Sequence, residues 1–199
     1  MPQSIGIDLD NTIIDYHNLF QAVLEQQLDK KFNKTIIKSH IKSIVKKDYG
    51  EDMWADIQAI VYGKQIKLAK LMRGFDSFLK YARKKKSKLY IVSHKTKLSQ
   101  NLKKNYKLIE AANKWLENNN FFTEKGFHKS DIFFCNSLDS KVKKITELNL
   151  DFFIDDLEDV IFHKKFPKNT KGILFSNSVN NKNMYHTWSE VIDRIESCQ

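Results

Sequence analysis

The chain contains five short apolar runs that are typical of strands buried on both faces of a sheet. The runs are rich in Ile, Phe and Val and alternate little with polar residues, which favours parallel strands. Segments with apolar residues at helical spacing separate the last four runs. This pattern predicts an α/β fold, with a three-layer Rossmann-like core and a parallel sheet of about five strands. The predicted strands are 4–8, 88–93, 131–135, 151–155 and 172–176, and the predicted helices between them are 75–86, 108–120 and 140–149.

Residues 15–72 break this alternation, because they contain no convincing strand. Three stretches, 16–28, 34–47 and 51–71, carry apolar residues at helical spacing. Gly50 is suited to end the second of these helices, and an acidic pair follows it that suits the first turn of the third. We therefore expect a helical cap at 15–72, inserted into an α/β core that is formed by residues 1–14 and 73–199.

Acidic residues follow two of the predicted strands. The first strand runs into Asp8 and Asp10, and the fourth ends in Asp155 and Asp156, with Asp159 close behind. In open α/β sheets, ligands bind beyond the carboxyl ends of the strands. Carboxylates that meet there repel one another and resist ionisation unless a divalent cation is bound, and oxygen ligands suit Mg²⁺. Helix capping explains one Asp at a strand end but not two pairs, so the sequence predicts a Mg²⁺ site.

Lys141 lies in the first turn of a predicted helix that starts near Ser137 or Asp139. A cation there meets the positive end of the helix dipole, which costs a few tenths of a kcal/mol to about 1 kcal/mol. Local conflicts of this kind tend to mark functional sites. The alternative interpretation is a solvent-facing lysine in a lysine-rich chain.

The net charge of +10 has three interpretations: nucleic-acid binding, attraction of small anionic substrates, or lysines scattered over solvated helix faces. Of the 34 basic residues, only Arg73, Arg83 and Arg194 are arginine. Arginine is the residue that suits bidentate contacts to phosphates and bases. Its scarcity favours the scattered lysines, and nucleic acid is not the expected partner.

Other features of the chain argue against a membrane or secreted protein. There is no run of eighteen apolar residues, and the N-terminus has neither a basic n-region nor a long apolar h-region. Two cysteines, Cys135 and Cys198, are too few for a disulfide framework. We expect no membrane span, no signal peptide and a cytoplasmic location.

Four motifs, taken in order, resemble those of the haloacid dehalogenase-like hydrolases, mainly their Mg²⁺-dependent phosphatase branch. The first is D-x-D-x-T at 8–12, and the second is an apolar strand that closes in Ser93. The third is Lys141, about one helix ahead of the fourth strand, and the fourth is the acid pair in FFIDDLED at 152–159. The first and fourth are specific together, whereas the other two are weak alone. The insertion at 15–72 lies where the family places its helical cap.

The resemblance implies a covalent mechanism. Asp8 would be the nucleophile that forms an aspartyl-phosphate, and Asp10 would be the general acid and then the general base. Asp10 also separates the chain from the metal-free dehalogenases of the family, which lack this second Asp. The Ser93 hydroxyl, the His94 main-chain N–H and Lys141 would hold the phosphoryl oxygens.

The resemblance also implies a set of metal ligands. Mg²⁺ would be held by the Asp8 carboxylate, the Asp10 main-chain carbonyl and an acid of the fourth motif. Asp156 is the favoured direct ligand, with Asp155 or Asp159 acting through water. In the loop between the two acids of the first motif, the residue expected to brace the chain is Thr12.

Two features depart from the family pattern. Asn11 occupies a variable position where Gly or another residue is common, and His94-Lys95 is an unusual continuation of the second motif. Lys95 has two interpretations, an additional phosphate contact or a lysine at the start of a helix, and the sequence favours the helix start.

The expected function is hydrolysis of a small phosphate monoester. A sugar phosphate is the first candidate, because relatives with a similar cap and the SHKT segment at 93–96 are associated with sugar metabolism; a nucleotide is the second. Two alternatives come from other classes: a nucleic-acid end phosphatase that uses the charge of +10, and a non-catalytic phosphate-binding protein on the same fold. The complete set of motifs argues against the second alternative.

Overall fold

A computed structural model describes residues 2–29, 31, 38–97, 99, 106–176 and 184–198. The chain divides into two compact units. Unit 1 consists of Met1–Asp15, Leu71–Lys95 and Asn120–Gln199, and unit 2 consists of Tyr16–Lys70 and Thr96–Asn119. Each unit is thus assembled from separate stretches of the sequence.

Unit 1 is built on a five-stranded parallel sheet with helices on both sides. The strands of the chain are β1 Ser4–Ile7, β2 Ile14–Asp15, β3 Lys70–Leu71, β4 Lys88–His94, β5 Ile132–Cys135, β6 Phe152–Asp155 and β7 Lys171–Leu174. The order in the main sheet is β5-β4-β1-β6-β7, and the two-residue strands β2 and β3 lie outside it. The architecture is the α/β, Rossmann-like fold that the apolar pattern predicts.

The central strand of the sheet is β1, which pairs with β4 on one side and β6 on the other. Ile7 lies level with Ile91 of β4 and with Ile154 of β6. Gly6 allows close packing here, because a Cβ atom at this position would lie 2.4 Å from the Leu150 side chain. The carboxyl ends of β1, β4 and β6 therefore lie next to one another at one edge of the sheet.

The helices of unit 1 bury apolar residues, and two of them have polar N-caps. Ser137 and Thr187 form capping boxes at the N-termini of the second and fourth of these helices. An aromatic cluster fills part of the core, where the Trp188 ring lies 5.0 Å from that of Phe75 and 4.6 Å from that of Phe78. The helices are α3 Phe75–Lys84, α5 Leu138–Glu147, α6 Glu158–Ile161 and α7 Trp188–Glu196, and a 3-10 turn covers Lys129–Asp131.

The described elements of unit 2 are helices and helical turns, apart from Lys70, the first residue of β3. Its elements are α1 His17–Leu28, α2 Lys38–Ala59, a π-helical turn Ile60–Lys64, a 3-10 turn Ile66–Leu68 and α4 Leu108–Asn118. Gly50 interrupts α2 with φ 88° and ψ 168°, as predicted for a glycine that ends one helix before the next begins. The rings of Phe20 and Trp54 stack at 5.8 Å and anchor α1 on α2.

The helical unit contains a stretch that the sequence analysis placed in the core. Residues 96–119 lie inside the predicted core range 73–199, yet they cluster with unit 2. The buried indole of Trp115 in α4 explains this placement, because its N–H donates to the Ala69 carbonyl at 3.0 Å. Within the described ranges, none of the helices is both long and apolar enough to cross a membrane.

Candidate active site

The chain turns sharply just after β1. The Asp8 N–H donates to the Ile154 carbonyl at 2.8 Å, so the pairing of β1 with β6 continues one residue beyond the strand. The Ile14 N–H then donates back to the Leu9 carbonyl at 2.9 Å. Asn11, at the turn, has φ 62°, in the left-handed region that Asn tolerates better than most residues. The turn holds both acids of the first motif at the carboxyl edge of the sheet.

A buried lysine bridges two of the predicted site acids. Lys141 Nζ lies 2.5 Å from Asp8 Oδ1 and 2.6 Å from Asp155 Oδ2. Lys141 and Asp155 are fully buried and Asp8 nearly so. The capping box at Ser137 starts α5 so that Lys141 falls in its first turn, and the Lys141 N–H donates to the Ser137 carbonyl at 3.0 Å. The side chain that conflicts with the helix dipole is thus compensated by carboxylates.

Burial dominates the electrostatics of these three groups. It raises the pKa of the Asp8 carboxyl well above its ordinary value; Lys141 counteracts this, while Asp155 and Asp156 add to it. Burial likewise raises the pKa of Asp155 although Lys141 opposes the shift. Burial lowers the pKa of Lys141, but the two adjacent carboxylates outweigh it and the net shift is upward. One ammonium group therefore balances only part of the negative charge.

Three carboxylates form a candidate cation site. Asp8, Asp155 and Asp156 each offer an oxygen, and the three oxygens lie within 4.8 Å of one another. This oxygen-only donor set fits a hard divalent cation, which would also relieve the repulsion among the acids. Asn11 Nδ2 donates to Asp156 Oδ2 at 3.2 Å and so ties the turn after β1 to the acid after β6. Asp159, in α6, is exposed and lies outside this cluster.

Near the carboxyl ends of β1 and β4, two buried hydroxyls have no hydrogen-bond partner among the described residues. They are Ser93 Oγ, in β4, and Thr12 Oγ1, in the turn after β1. Leaving such a group unpaired costs about 1–3 kcal/mol, so an orphaned hydroxyl at this edge suits contact with a ligand. Sequence analysis expected Ser93 to contact phosphate and Thr12 to brace the loop, and both roles stay predictions.

The side chain and the main-chain N–H of His94, the last residue of β4, lie in different environments. The His94 side chain is exposed, with Nε2 3.3 Å from the Asn136 carbonyl oxygen. The next N–H along the chain, that of Lys95, donates to the Cys135 carbonyl on β5 at 2.8 Å. Because successive N–H groups of a strand point to opposite sides, the His94 N–H faces the β1 side. This direction is compatible with its expected role as a phosphate donor.

Lys95 contacts one of the predicted site acids, whereas the sequence favours a lysine at the start of a helix. Residues 95–97 are not helical, and the Lys95 side chain is 2% exposed with Nζ 2.7 Å from Asp10 Oδ2. Asn11, which departs from the family pattern, contacts Asp156, and the sequence alone does not indicate this contact. A signal for Lys95 existed in the sequence: a lysine two residues after Ser93 shares its side of an extended strand.

Solved structures match the fold of this protein over nearly the whole length of the chain. A protein described as a predicted phosphatase, from Clostridium acetobutylicum, is 16% identical, with a TM-score of 0.61 and coverage of 99% of both chains. A haloacid dehalogenase-like family hydrolase from Streptococcus pneumoniae is 14% identical, with a TM-score of 0.60 and coverage of 98% of both chains. Protein tyrosine kinase A from Mycobacterium tuberculosis is 13% identical, with a TM-score of 0.63, and the match covers 94% of this chain and 90% of that one.

No family model and no curated protein matches the chain. At the identities of these solved structures the likeness shows the fold, and the chain has the fold of the haloacid dehalogenase-like hydrolases. A protein named as a kinase shares that fold with proteins named as hydrolases and phosphatases. The function must therefore be argued from the site itself.

Proposed function

We propose that this protein is a Mg²⁺-dependent phosphatase that hydrolyses a small phosphate monoester through an aspartyl-phosphate on Asp8. The observation that carries the proposal is the buried cluster in which Lys141 bridges Asp8 and Asp155, with Asp156 beside them. Three carboxylates against one ammonium group leave net negative charge in a buried place. Such a place suits a divalent cation, and a cation together with a lysine suits a phosphoryl group.

The proposed reaction has two displacements at phosphorus. In the first, an Asp8 carboxylate oxygen attacks phosphorus, the bond to the ester oxygen breaks, and Asp10 gives its proton to the departing alcohol. In the second, Asp10 takes a proton from water, the water oxygen attacks phosphorus, and the Asp8 carboxylate is released with inorganic phosphate. The first displacement leaves Asp8 phosphorylated and Asp10 deprotonated, and the second returns both residues to their starting states.

Other residues would orient the phosphoryl group without reacting. The buried Ser93 hydroxyl, the His94 N–H on the β1 side of β4 and the Lys141 ammonium are the donors available for its oxygens. Lys141 would favour the ionised form of Asp8, because its ammonium opposes part of the increase in pKa that burial causes at that carboxyl.

The cation would be held by oxygens of Asp8, Asp156 and the Asp10 main chain, with Asp155 or Asp159 acting through water. When bound, Mg²⁺ would screen the charge of Asp8 from the incoming phosphate. Asn11 would orient Asp156 toward this position through the hydrogen bond at 3.2 Å. A contact of this kind to a ligating carboxylate tunes metal affinity.

A panel of phosphate esters tests the proposal. It contains several sugar phosphates, a nucleoside monophosphate, a phosphorylated oligonucleotide and p-nitrophenyl phosphate, each assayed with Mg²⁺ and with EDTA. We expect phosphate release from at least one small ester, fastest with a sugar phosphate, and loss of that activity in EDTA. Equal release in both conditions contradicts the metal dependence. Binding of phosphate without any release would instead support the non-catalytic alternative.

A trapping experiment tests the covalent step separately. Beryllofluoride mimics a phosphoryl group on a carboxylate, and we expect its adduct on Asp8. A crystal structure of the trapped protein reads out the position of the adduct directly. An adduct on Asp10 would contradict the assignment of the nucleophile even if the protein is a phosphatase.

A further inference from the structure

A second ion pair lies at the carboxyl edge of the sheet, apart from the Lys141 cluster. Lys95 Nζ contacts Asp10 Oδ2 at 2.7 Å, and the lysine side chain is 2% exposed whereas that of Asp10 is 19% exposed. The two residues come from the ends of adjacent strands, since Lys95 directly follows β4 and Asp10 lies just after β1. The pair therefore joins the two strand ends that carry Ser93 and Asp8.

The burial of Lys95 calls for a specific reason. A lysine ammonium removed from water carries a desolvation penalty of several kcal/mol, which only good geometry repays. A methionine or leucine of similar size would fill the same space without that penalty. The 2.7 Å contact makes Asp10 the residue toward which this charge is directed.

The main chain holds the lysine in place. The Lys95 N–H donates to the Cys135 carbonyl at 2.8 Å, which extends the β4–β5 pairing by one residue beyond His94. The Asp10 side of the pair is held by the tight turn in which the Ile14 N–H returns to the Leu9 carbonyl. Both backbones are thus held, and the ion pair is a contact that can set the direction of the Asp10 carboxylate.

We propose that Lys95 is a positioning residue, which orients the Asp10 carboxylate for proton transfer to and from the reacting oxygens. The proposal rests on the proposed function, because proton transfer by Asp10 belongs to the phosphatase mechanism. A misplacement of about 1 Å at a reacting group costs roughly a hundredfold in rate. Lys95 does not need to touch the substrate to have this effect.

The rival role is a direct contact between Lys95 and the phosphoryl group. The two roles differ in their dependence on the leaving group. Positioning of Asp10 matters for an alkoxide, which must be protonated as it leaves, and matters little for a nitrophenolate. A direct phosphate contact would affect both kinds of ester equally and would raise KM.

The kinetic test uses Lys95→Met, which keeps the length of the stem and removes the charge, and Lys95→Arg, which keeps the charge. We expect Lys95→Met to lower kcat for an alkyl phosphate about a hundredfold and for p-nitrophenyl phosphate less than about fivefold, with KM nearly unchanged. Lys95→Arg should restore much of the loss. Lys88→Met, at the exposed opposite end of the same strand, is the control for loss of one charge and should match the wild type.

A double variant separates positioning from substrate contact. In an Asp10→Asn background there is no carboxylate to orient, so adding Lys95→Met should cost no further turnover of the alkyl ester. An undiminished effect of Lys95→Met in that background would overturn the proposal. Equal losses for the two esters, or a rise in KM that accounts for the loss, would overturn it as well.

A crystal structure of the Lys95→Met variant supplies a readout that does not depend on activity. We expect the Asp10 carboxylate to leave its wild-type direction or to occupy more than one direction, while β1 and β4 stay in place. An unchanged Asp10 would overturn the proposal whatever the kinetics. If the wild type releases no phosphate from any ester, the proposed function fails, and this structure still decides whether Lys95 orients Asp10.

Discussion

Acidic side chains at the two edges of the main sheet lie in opposite environments. At the amino edge, Asp151 is exposed and accepts hydrogen bonds at Oδ2 from the Ser4 N–H, at 2.7 Å, and the Ser4 hydroxyl, at 2.9 Å. At the carboxyl edge, Asp8 and Asp155 are buried against one lysine, with Asp156 beside them. At the amino edge, neutral donors and solvent stabilise the Asp151 carboxylate. At the carboxyl edge, the negative charge of the cluster is only partly compensated.

The difference separates a structural acid from the acids that we propose to be functional. Asp151 links β6 to the start of β1, and its own N–H donates to the Ser4 carbonyl at 2.9 Å, so its contacts hold strands together. The cluster around Lys141 concentrates like charges where burial penalises them, which is unfavourable for the folded state. Groups kept at such a cost are candidates for chemistry.

The largest expected effect comes from removing the charge of Asp8. Asp8→Asn keeps the size of the side chain but cannot attack phosphorus, so we expect turnover to fall at least about a thousandfold, or about 4 kcal/mol of barrier. Steady-state kinetics on the best ester of the panel measure this fall. The matched control is Asp151→Asn at the amino edge, which should keep turnover within about twofold. Near-normal turnover by Asp8→Asn would remove the distinction between the edges.

Loss of the buried lysine should have the next largest effect. Lys141→Met leaves Asp8 and Asp155 facing each other without a cation, and breaking a buried pair in this way costs about 3–5 kcal/mol. Urea unfolding in EDTA measures the change in the free energy of unfolding. The control Lys143→Met, whose side chain is 79% exposed, should change it by less than about 0.5 kcal/mol.

A rescue variant sharpens the test of Lys141. Adding Asp8→Asn to Lys141→Met removes one of the two repelling charges, so we expect the double variant to recover part of the lost stability. A double variant that is no more stable than Lys141→Met would show that the cluster is not under electrostatic strain.

A smaller effect is expected at the candidate cation site. Asp156→Ala removes one of the three clustered oxygens without disturbing the buried pair, so Mg²⁺ affinity should fall about tenfold to a hundredfold and most activity should be lost. Titration calorimetry with MgCl₂ measures the affinity, and circular dichroism checks the fold. Asp159→Ala removes an exposed acid outside the cluster and should weaken Mg²⁺ binding less. A larger loss of Mg²⁺ affinity in Asp159→Ala than in Asp156→Ala would instead assign Asp159 as the direct ligand.

The smallest effect is expected at the amino edge. Asp151→Ala removes the acceptor of two hydrogen bonds from Ser4, both at an exposed position, so the free energy of unfolding should fall by about 1 kcal/mol. Turnover should be unchanged, as thermal unfolding and kinetics on the same sample can show. A loss of activity that exceeds the loss of folded protein would mean that the amino edge contributes to function.

Apolar periodicity is sufficient to predict the sheet and most of its helices. Each of the five predicted runs corresponds to an observed strand, with bounds that agree to within two residues. The reason is physical: a strand buried on both faces has no polar positions, so its signal is strong. The short helix α6 and the C-terminal helix α7 were not predicted from the pattern.

The site residues differ in how far the sequence could identify them. Asp8 and Asp156 directly follow strands and Asp155 is the last residue of one, and the general rule for parallel sheets brings such ends to one edge. The partner of Lys95 could not be predicted in this way, because it depends on β4 being adjacent to β1, and periodicity carries no information on strand order. The contact between Asn11 and Asp156 likewise depends on the pairing of β1 with β6.

The division of the chain also determines how this protein can be recombined. Each of the two segments of unit 2 begins shortly after candidate site residues of unit 1. The first begins at Tyr16, after the turn with Asp8 and Asp10, and the second begins at Thr96, directly after Lys95. A chimaera that imports the helical unit from a relative must therefore transplant two separate pieces of coding sequence. If only one piece were exchanged, Trp115 and Ala69 would come from different parent proteins. A chimaera that keeps their hydrogen bond must therefore exchange both segments together.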